Sequence, residues 1–425
     1  MLTINNLTIK TGYVESDTAA FVKGGCVYSS GSIIVNNSVM DTCGAYVSYL
    51  PSAGAASGGA LSAANYVYLH NSSITHSHAG STIGTANGGA IYAGGDVYLN
   101  NSTLSTNVAG SYSGATARGG AIFAIGNIVM NRSTVAGNMT YSPYQSSDGP
   151  SYGGGIYVRG FARGARGTQI SNSTISGNNS HNVGGLEILN GGGTNYNANI
   201  VNSTISSNYG HNRSGGIATS TPLTLSNSTV VSNYSGSSAV AAGLEAYSAP
   251  VILQSSILAS NYGPTDTFDV DAIFVTGSNN LITSSSIAPP GTLTADPQLM
   301  PLADNGGPTQ THGLLGSSPA IGHGNNFAGL VYDQRGPGFS RVLGSAPDIG
   351  AVEADFIFAN GFENFLLMRT DEETANAAHT RPASLLAYED TLDSFAEGAR
   401  KRVSRAARRN RCDSVAPLMV DSPCP

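Results

Sequence analysis

Apolar and polar residues alternate in short runs along most of the chain. Val67 and Leu69 are two residues apart, as are Val97 and Leu99, with a tyrosine between the members of each pair. The same spacing recurs at Ile128 and Met130, at Leu223 and Leu225, and at Val251 and Leu253. A period of two residues predicts β-strands with one buried face.

A polar motif of the Asn-Ser-Thr type, followed by an aliphatic residue, comes after each alternating run. Clear copies begin at Asn71, Asn101, Arg132, Asn172, Asn202 and Asn227, and weaker copies end at Ile9, Met40 and Leu258. Successive copies are 25 to 40 residues apart, and most are close to 30. A period of this length is typical of a solenoid made of stacked repeats.

Glycine pairs open a second short run in most repeats, as at Gly88-Gly89 and Gly184-Gly185. Each repeat therefore contains at least two strands and no helix, with turns that are rich in Gly, Asn and Ser. Glycine permits the positive φ that a sharp corner needs. These features predict an all-β fold, a right-handed parallel β-helix of about nine coils, in which equivalent strands lie about 4.8 Å apart along the axis.

The asparagine that opens the motif predicts a structural ladder. Identical amides stacked at the strand spacing donate and accept hydrogen bonds along the axis. We assign this role to Asn71, Asn101, Asn172, Asn202 and Asn227. If the ladder is buried, replacement of Asn172 or Asn202 by Leu removes about 1 to 3 kcal/mol of stability, because the neighbouring amides lose their partners.

The composition agrees with a narrow core and many turns. The chain has 54 glycines among 425 residues, no tryptophan and only 11% charged residues. The formal charge of −7 argues against a nucleic-acid partner, since nucleic acids bind basic surfaces. No apolar run approaches the roughly 18 residues of a membrane-spanning helix, so no transmembrane segment is predicted.

Cysteines and the amino terminus give a weak signal about the compartment. Cys26, Cys43, Cys412 and Cys424 are too few for a disulfide framework, although the last two are close enough in sequence to close a small loop in an oxidising compartment. The chain begins at Met1 with residues typical of the inside of a coil. We therefore expect that this reading frame starts late, and that a signal peptide and a capping element belong upstream of it or were lost.

Beyond about residue 263 the repeat gives way to a different set of segments. The most specific are Asn305-Gly-Gly-Pro-Thr309, Ser318-Pro-Ala-Ile321 and Asp333-Gln-Arg-Gly336. Together they resemble the choice-of-anchor Q domain of bacterial secreted proteins, which closes a right-handed parallel β-helix. His323 and Pro347 depart from the usual residues of that family. The resemblance implies a β-rich closure over residues 263–355 and a secreted or cell-surface location, and it implies no established chemistry.

Two further segments follow the closure, while the repeats themselves are assigned to residues 1–262. Residues 356–363, Phe-Ile-Phe-Ala-Asn-Gly-Phe-Glu, resemble a short sorting tag found on secreted proteins of some Gram-negative bacteria. Residues 364–425 are rich in charge, and apolar residues fall at helical spacing at Leu385, Tyr388, Leu392 and Phe395. We predict a charged tail there that is partly helical or disordered.

Arginines and tyrosines are the candidate binding residues. Arg159, Arg163 and Arg166 lie within eight residues of one another in the longest insertion of the repeat region. A guanidinium group offers a planar donor fork to carboxylate or sulfate, so this loop is a candidate site for anionic glycans. The alternative is a solvated loop without a ligand. A second candidate surface is formed by tyrosines that alternate with buried residues, such as Tyr66, Tyr68 and Tyr98, for which the alternative is simple stacking on the outside of a sheet.

Catalytic and metal motifs are weak. Gly322-His323-Gly324 matches a tripeptide of polygalacturonase-like hydrolases, but the chain lacks the other residues that those enzymes need. Glu187 and Glu245 occupy the same place after the glycine pair two coils apart, near 10 Å by strand spacing. His76 and His78 lack a third metal ligand nearby. Calcium is the one cofactor that the sequence suggests, at Asp266, Asp269 and Asp271, and the alternative is a turn before a strand.

We therefore expect a secreted or cell-surface β-helix protein with a structural or adhesin-like binding role, and surface glycans or the polysaccharide of a host or neighbouring cell as its partners. The alternative is a polysaccharide-active enzyme, a lyase or hydrolase, or a carbohydrate-binding β-helix. These alternatives differ in whether carboxylates, with or without arginine, cluster on adjacent coils. The sequence shows no convincing cluster, so it favours the non-enzymatic role.

Overall fold

The strands of the chain wind into a right-handed parallel β-solenoid. The computed structural model describes residues 1–18, 20–48, 54–112, 115–142, 151–161, 167–192, 196–237, 240–264 and 268–354, which belong to one compact unit. Every strand pair in these residues is parallel and joins equivalent positions of successive coils, and the described residues form no helix. The all-β β-helix prediction is confirmed.

Five sheets run along the axis, named A to E in the order in which the chain visits them. Sheet A comprises Leu2–Asn5, Ile33–Asn36, Val67–His70, Val97–Asn100, Ile128–Asn131, Thr168–Ser171, Ala198–Val201, Leu223–Ser226, Val251–Gln254 and Val275–Ser278. Sheet B comprises Thr8–Lys10, Val39–Asp41, Ser73–Thr75, Thr103–Ser105, Thr134–Ala136, Thr174–Ser176, Thr204–Ser206, Thr229–Val231, Ile257–Ala259 and Leu281–Ile282.

The other three sheets are shorter. Sheet C comprises Tyr13–Ser16, Gly44–Val47, His78–Ser81, Val108–Ser111, Met139–Tyr141, Asn179–Ser180, Tyr209–Gly210 and Tyr234–Ser235. Sheet D comprises Phe21–Lys23, Ala55–Ser57, Ala86–Asn87, Ala117–Arg118 and Ser151–Tyr152. Sheet E comprises Val27–Ser29, Leu61–Ala63, Ile91–Ala93, Ile122–Ala124, Ile156–Val158, Leu186–Ile188, Ile217–Thr219, Leu244–Ala246 and Val270–Ala272.

The number of complete coils is about seven rather than the predicted nine. The second to the eighth coil have strands in sheets A, B, C and E and a coil on either side. The first coil leaves one edge of its strands unpaired. Among the described residues, the ninth has no strand in sheet C and the tenth consists of two strands. The sequence count was too high because it included copies of the motif in these incomplete coils.

Aliphatic residues in register form the core. Val67 pairs with Val97 and Leu69 with Leu99, and all four side chains are buried. Because the register is the same from coil to coil, each buried position becomes a column of similar side chains along the axis. Burying one such side chain contributes about 1.5 to 3 kcal/mol, so the repeated alternation is the main source of stability.

A second column inside the solenoid is polar. Six asparagines that follow the predicted motif form a buried ladder, which ends on a carboxylate, in the order Asn107, Asn138, Asn178, Asn208, Asn233, Asn261 and Asp269. Each rung receives hydrogen bonds from the side-chain and backbone nitrogens of the rung before it, at 2.8 to 3.0 Å. The sequence analysis missed this column, although Asn178 lies in the same seven-residue stretch as Asn172.

The asparagines predicted to form a ladder lie at the corner between sheets A and B. There φ is positive, for example 49° at Asn101 and 53° at Asn202. The amide of Asn101 donates to Asn71 Oδ1 at 2.7 Å, and that of Asn202 donates to Asn172 Oδ1 at 2.7 Å. Asn71 and Asn101 are exposed, whereas Asn202 and Asn227 are buried. Asparagine tolerates the left-handed backbone at this corner better than most residues do.

The segment 283–354 lies along sheet B and contains fewer strands than predicted. Its described residues form no strand, and its antiparallel pairing is limited to single bridges, such as that between Ala303 and Thr311. The physical reason is its proline and glycine content, since neither residue sustains a strand ladder. The segment reaches back to the sixth coil, where Gln310 O accepts a hydrogen bond from Thr174 Oγ1 at 2.6 Å.

A disulfide joins Cys26 to Cys43 and so links the first coil to the second. The sequence analysis dismissed these two cysteines, because a sequence separation of 17 residues gave no hint that the winding places them side by side. Cys412 and Cys424, the segment 356–363 and the tail 364–425 lie outside the described residues. Among the described residues, no helix is long and apolar enough to span a membrane.

Candidate functional site

The outward face of sheet E combines aromatic rings with carboxylates. The middle residue of each strand points away from the core, because its two neighbours are core residues. Strand register places these middle residues in one row, which from the third to the ninth coil reads Tyr92, Phe123, Tyr157, Glu187, Ala218, Glu245 and Asp271. We call this row and the side chains that contact it the sheet E face.

Three aromatic rings form one end of the sheet E face. The rings of Tyr92 and Phe123 have centroids 5.4 Å apart and planes inclined by 4°. Those of Phe123 and Tyr157 are 5.5 Å apart and inclined by 7°. Phe123 and Tyr157 are buried and Tyr92 is half-buried. Stacking of neighbouring rings at the strand spacing stabilises this part of the sheet.

Glu187 is a buried carboxylic acid at the centre of the face. Its side chain belongs to a residue that is only 3% exposed, and its Oε2 atom has no hydrogen-bond partner. Burial raises its pKa to about 8, and the repulsion of Glu245 acts in the same direction. Arg213, Arg118 and the hydroxyl of Tyr247 oppose the shift but do not cancel it. Glu187 therefore carries a proton at neutral pH.

Glu245 is held by an arginine. Arg213 Nε donates to Glu245 Oε2 at 3.2 Å, and its Nη2 donates to Oε1. The same guanidinium lies 4.2 Å from the centroid of the Tyr247 ring. A two-point contact of this kind fixes the orientation of the carboxylate. The two glutamates of the face are thus in different environments, one without a cationic hydrogen-bond partner and one in an ion pair.

Arginines lie at both edges of the face. Arg118 and Arg213 come shortly before the glycine pairs that start strands of sheet E, and Arg159 comes directly after the strand Ile156–Val158. The guanidinium of Arg118 is 5.9 Å from the ring centroid of Tyr157, and that of Arg159 is 4.8 Å from the ring of Phe161. The face is therefore flanked by cationic side chains that also contact aromatic rings.

Of the three arginines predicted to bind a ligand, the structure describes only Arg159. Arg159 is exposed at the edge of the sheet E face. Arg163 and Arg166 lie outside the described residues. Arg213 was not singled out by the sequence analysis, although it lies four residues before Ile217, as Arg118 lies four residues before Ile122. Aligning the repeats on these first residues of the sheet E strands would have brought the two arginines and the row of Tyr157, Glu187 and Glu245 together.

The predicted tyrosine surface lies on sheet A. Tyr68 and Tyr98 are in register on adjacent coils, with ring centroids 6.2 Å apart. Tyr66 packs against Tyr98 edge to face, also at 6.2 Å. All three are half-buried. These contacts are the stacking that the alternative interpretation expects, and nothing in them selects a ligand.

The candidate metal residues do not form a common site in the described part of the chain. Asp266 lies outside it. Asp269 is buried, and its oxygens accept hydrogen bonds from Asn261, Thr283 and Ser284. Asp271 accepts a hydrogen bond from Ser286. Asp269 thus serves as the end of the asparagine ladder.

The two predicted histidines also have other partners. His76 pairs with Asp41 at 3.0 Å. His78 is packed between Tyr46 and Tyr112, and burial lowers its pKa to about 4. Among the described residues, no group of three or more His, Cys, Asp or Glu side chains is placed to hold a metal ion.

The fold and the face define a parallel β-solenoid with an outward row of aromatic and acidic residues. No family model matches the chain, and comparison with curated proteins and with solved structures found no similar protein. The resemblance of residues 263–355 to the choice-of-anchor Q domain therefore stays a prediction.

Proposed function

We propose that this chain is a secreted or cell-surface β-solenoid with an adhesin-like role, and that its sheet E face binds an anionic polysaccharide. The supporting observation is the position of Arg118, Arg159 and Arg213 along the edges of that face. They are three of only eight lysines and arginines in residues 1–262. A guanidinium group donates two parallel hydrogen bonds to a carboxylate or sulfate, which are the charged groups of such polymers.

A repeating surface suits a repeating ligand. Successive coils present similar side chains about 4.8 Å apart along the axis, so several units of a linear polysaccharide meet similar surroundings. Repeat proteins use extended surfaces of this kind for binding. The phenol groups of Tyr92, Tyr152 and Tyr247, all half-buried at this face, supply hydroxyl groups for hydrogen bonds to sugars.

Two observations support a location outside the cytoplasm. The disulfide between Cys26 and Cys43 is of a kind that persists in oxidising compartments. The choice-of-anchor Q resemblance of residues 263–355 implies the same location. Fractionation of cells that express the full-length gene product, followed by detection in the medium and surface fractions, tests this part of the proposal. Recovery only in the cytoplasm with reduced Cys26 and Cys43 would contradict it.

Binding is tested by titration with polygalacturonate, alginate, hyaluronan and chondroitin sulfate, with neutral dextran as a control ligand. The double variant Arg118→Ser, Arg159→Ser removes one cation from each edge and leaves the ion pair of Glu245 intact. We expect at least a tenfold loss of affinity, since each charge-assisted hydrogen bond contributes about 1.5 to 3 kcal/mol. Wild-type binding should weaken with salt, because exposed charges are screened over about 8 Å at physiological ionic strength.

Arg132→Ser is the control for loss of a cation away from the face, because it removes one arginine at the corner between sheets A and B, where Ser255 occupies the equivalent position with the same φ of 48°. A triple variant, in which Arg159, Arg163 and Arg166 are all changed to Ser, then measures how much the insertion that contains these arginines contributes to binding. Equal binding by the wild type and the Arg118, Arg159 double variant would exclude the sheet E face.

A further inference from the structure

We propose that the anionic polysaccharide is bound as a long chain along the axis, at three stations that recur every third coil on one edge of the sheet E face. This inference rests on the proposed binding function. It adds Lys23 to the site and specifies a ligand that spans at least seven coils. A station is one cation with a tyrosine ring beside it, and the three are Lys23 with Tyr28, Arg118 with Tyr157, and Arg213 with Tyr247.

The three cations occupy one column of the repeat. Each lies four residues before the first residue of a sheet E strand, in the first, fourth and seventh coils. Residues 1–262 contain only eight lysines and arginines, and three of them fall in this column at equal intervals. Strand pairing fixes the register of the column in the first five coils, where it reads Lys23, Ser57, Asn87, Arg118 and Tyr152.

The interval between stations is set by the strand spacing. Coils are about 4.8 Å apart, so neighbouring stations are about 14 Å apart and the outer two are about 29 Å apart. The column positions between them carry hydroxyl or amide side chains, which offer hydrogen bonds to sugars without adding charge. A short oligosaccharide reaches one station only. A linear polysaccharide with charged groups along its length reaches all three, and each contact after the first is then intramolecular, which raises the affinity.

The first two stations are open to solvent. Lys23 is exposed, and the rings that flank it, Phe21 and Tyr28, are 67% and 51% exposed. Its Nζ atom is 5.8 Å from the centroid of the Phe21 ring and 5.6 Å from that of Tyr28. Arg118 is half-buried, with its guanidinium 5.9 Å from the centroid of the Tyr157 ring. A ligand therefore reaches these cations without any opening of the solenoid.

Arg213 is held in place and still presents donors. Its Nε and Nη2 atoms donate to the Glu245 carboxylate, and its guanidinium lies 4.2 Å from the centroid of the Tyr247 ring. A guanidinium group has five N–H donors, and the side chain of Arg213 is 37% exposed. Glu245 offsets part of its charge, so Lys23 and Arg118 are the stations to vary.

The test compares short and long forms of one ligand. The polymer that binds most tightly among polygalacturonate, alginate, hyaluronan and chondroitin sulfate is titrated as a long chain and as a trimer or tetrasaccharide prepared from it. Lys23→Ser introduces the residue that Ser57 supplies at the same position of the next coil. We expect this variant to bind the long chain about two- to fivefold more weakly, the usual effect of one exposed charge pair, and the fragment as wild type does.

Two further variants complete the test. Arg118→Ser should weaken binding of both the fragment and the long chain, because it removes a cation from the middle station. Lys10→Ser is the matched control, since it removes the other exposed lysine of the first coil, which lies on sheet B and pairs with Asp41. It should bind both forms as wild type does.

A relocated cation tests the interval between stations. Lys23→Ser combined with Asn87→Lys keeps the net charge and moves one cation from the first coil to the third, beside Arg118. The cations of the column then span about 19 Å instead of about 29 Å. We expect this variant to bind the long chain no more tightly than Lys23→Ser.

The outcomes separate this inference from the proposed function. A weaker hold on the long chain in Lys23→Ser, but not in Lys10→Ser, supports the three stations. Equal binding by wild type and Lys23→Ser, equal losses in the two lysine variants, or full recovery in the relocated variant overturns them and leaves binding at Arg118 and Arg159 standing. Failure of every anionic polymer to bind overturns both proposals.

Discussion

Sheet B has two halves with the same sequence motif and different surroundings. In the third to fifth coils the motif residues Ser73, Thr103 and Thr134 are half-buried or exposed. In the sixth to eighth coils the equivalent residues Thr174, Thr204 and Thr229 are buried. The cause is the segment 283–354, which lies over the second half only. The repeat specifies how coils stack, and the covering segment decides which copies of the motif face solvent.

The covering segment uses the hydroxyl groups that the motif offers on each coil. Thr204 Oγ1 donates to Gln334 Oε1 at 2.6 Å, and Gln334 Nε2 donates to Thr174 Oγ1 at 2.9 Å. Thr229 Oγ1 accepts from the backbone nitrogen of Ala351 at 3.1 Å. A regular column of donors and acceptors thus serves as a docking site for an irregular chain. The same threonine has no such role where the column faces water.

The largest effect should come from removing Arg341, which is fully buried within the covering segment. Its guanidinium donates to Gly350 O at 2.9 Å, to Asp348 O at 3.1 Å and to Glu353. Arg341→Ala leaves Glu353 buried without a cation, which costs about 3 to 5 kcal/mol. Urea unfolding monitored by circular dichroism measures the loss. Lys10→Ala, which removes an exposed cation from the first coil, is the control, and equal stability of the two variants would contradict the assigned role.

Replacing an asparagine of the buried ladder should reduce stability by a similar amount in the uncovered coils and in the covered coils. Asn138→Ala and Asn178→Ala each leave both nitrogens of the preceding rung without their acceptor, at about 1 to 3 kcal/mol for each group. Because the ladder runs inside the solenoid, the covering segment does not change this cost. Thermal unfolding of the two variants should therefore give similar decreases in Tm. A loss in Asn178→Ala alone would show that the ladder depends on the cover.

The smallest expected change in stability comes from removing a single threonine hydroxyl, and it distinguishes the two halves of sheet B most directly. Thr204→Val removes a hydroxyl that bonds to Gln334 under the cover, whereas Thr103→Val makes the same change on an exposed coil. We expect a loss of about 1 kcal/mol for the first and a change within about 0.5 kcal/mol for the second. Chemical denaturation of both variants under one condition provides the comparison. Equal values would mean that the hydroxyl contacts contribute nothing to docking.

The sequence predicts the solenoid well because its information is local and repeated. Alternation at Val67 and Leu69 and the glycine pairs are sufficient to assign strands and corners. The position of residues 283–354 could not be predicted, since its contacts join residues about 100 to 160 positions apart, such as Asn227 with Asn325 and Ser173 with Gln334. No periodic pattern records such contacts.

The candidate site, too, could be predicted only in part from the sequence. The shared register of Glu187 and Glu245 follows from the repeat and was predicted. The neutral state of Glu187 was not, because it depends on burial of the side chain and on the charge of Glu245, two coils away. The pairing of Arg213 with Glu245 likewise joins residues 32 positions apart. Charge states in a solenoid are set by neighbours along the axis, which a single repeat does not reveal.

The asparagine ladder also gives the solenoid a direction and an end. From Asn107 onwards each side-chain amide donates one hydrogen bond to the next rung, towards the carboxyl-terminal coils, and another to a backbone carbonyl of the preceding coil. The bonds from rung to rung therefore all run in one direction. Asp269 follows Asn261 after only eight residues and receives both of its nitrogens. A carboxylate accepts and has nothing to pass on. The rung-to-rung hydrogen bonds therefore run in one direction and end at Asp269. In a stack of nearly identical coils, this carboxylate identifies the coil at which the asparagine column can no longer be extended.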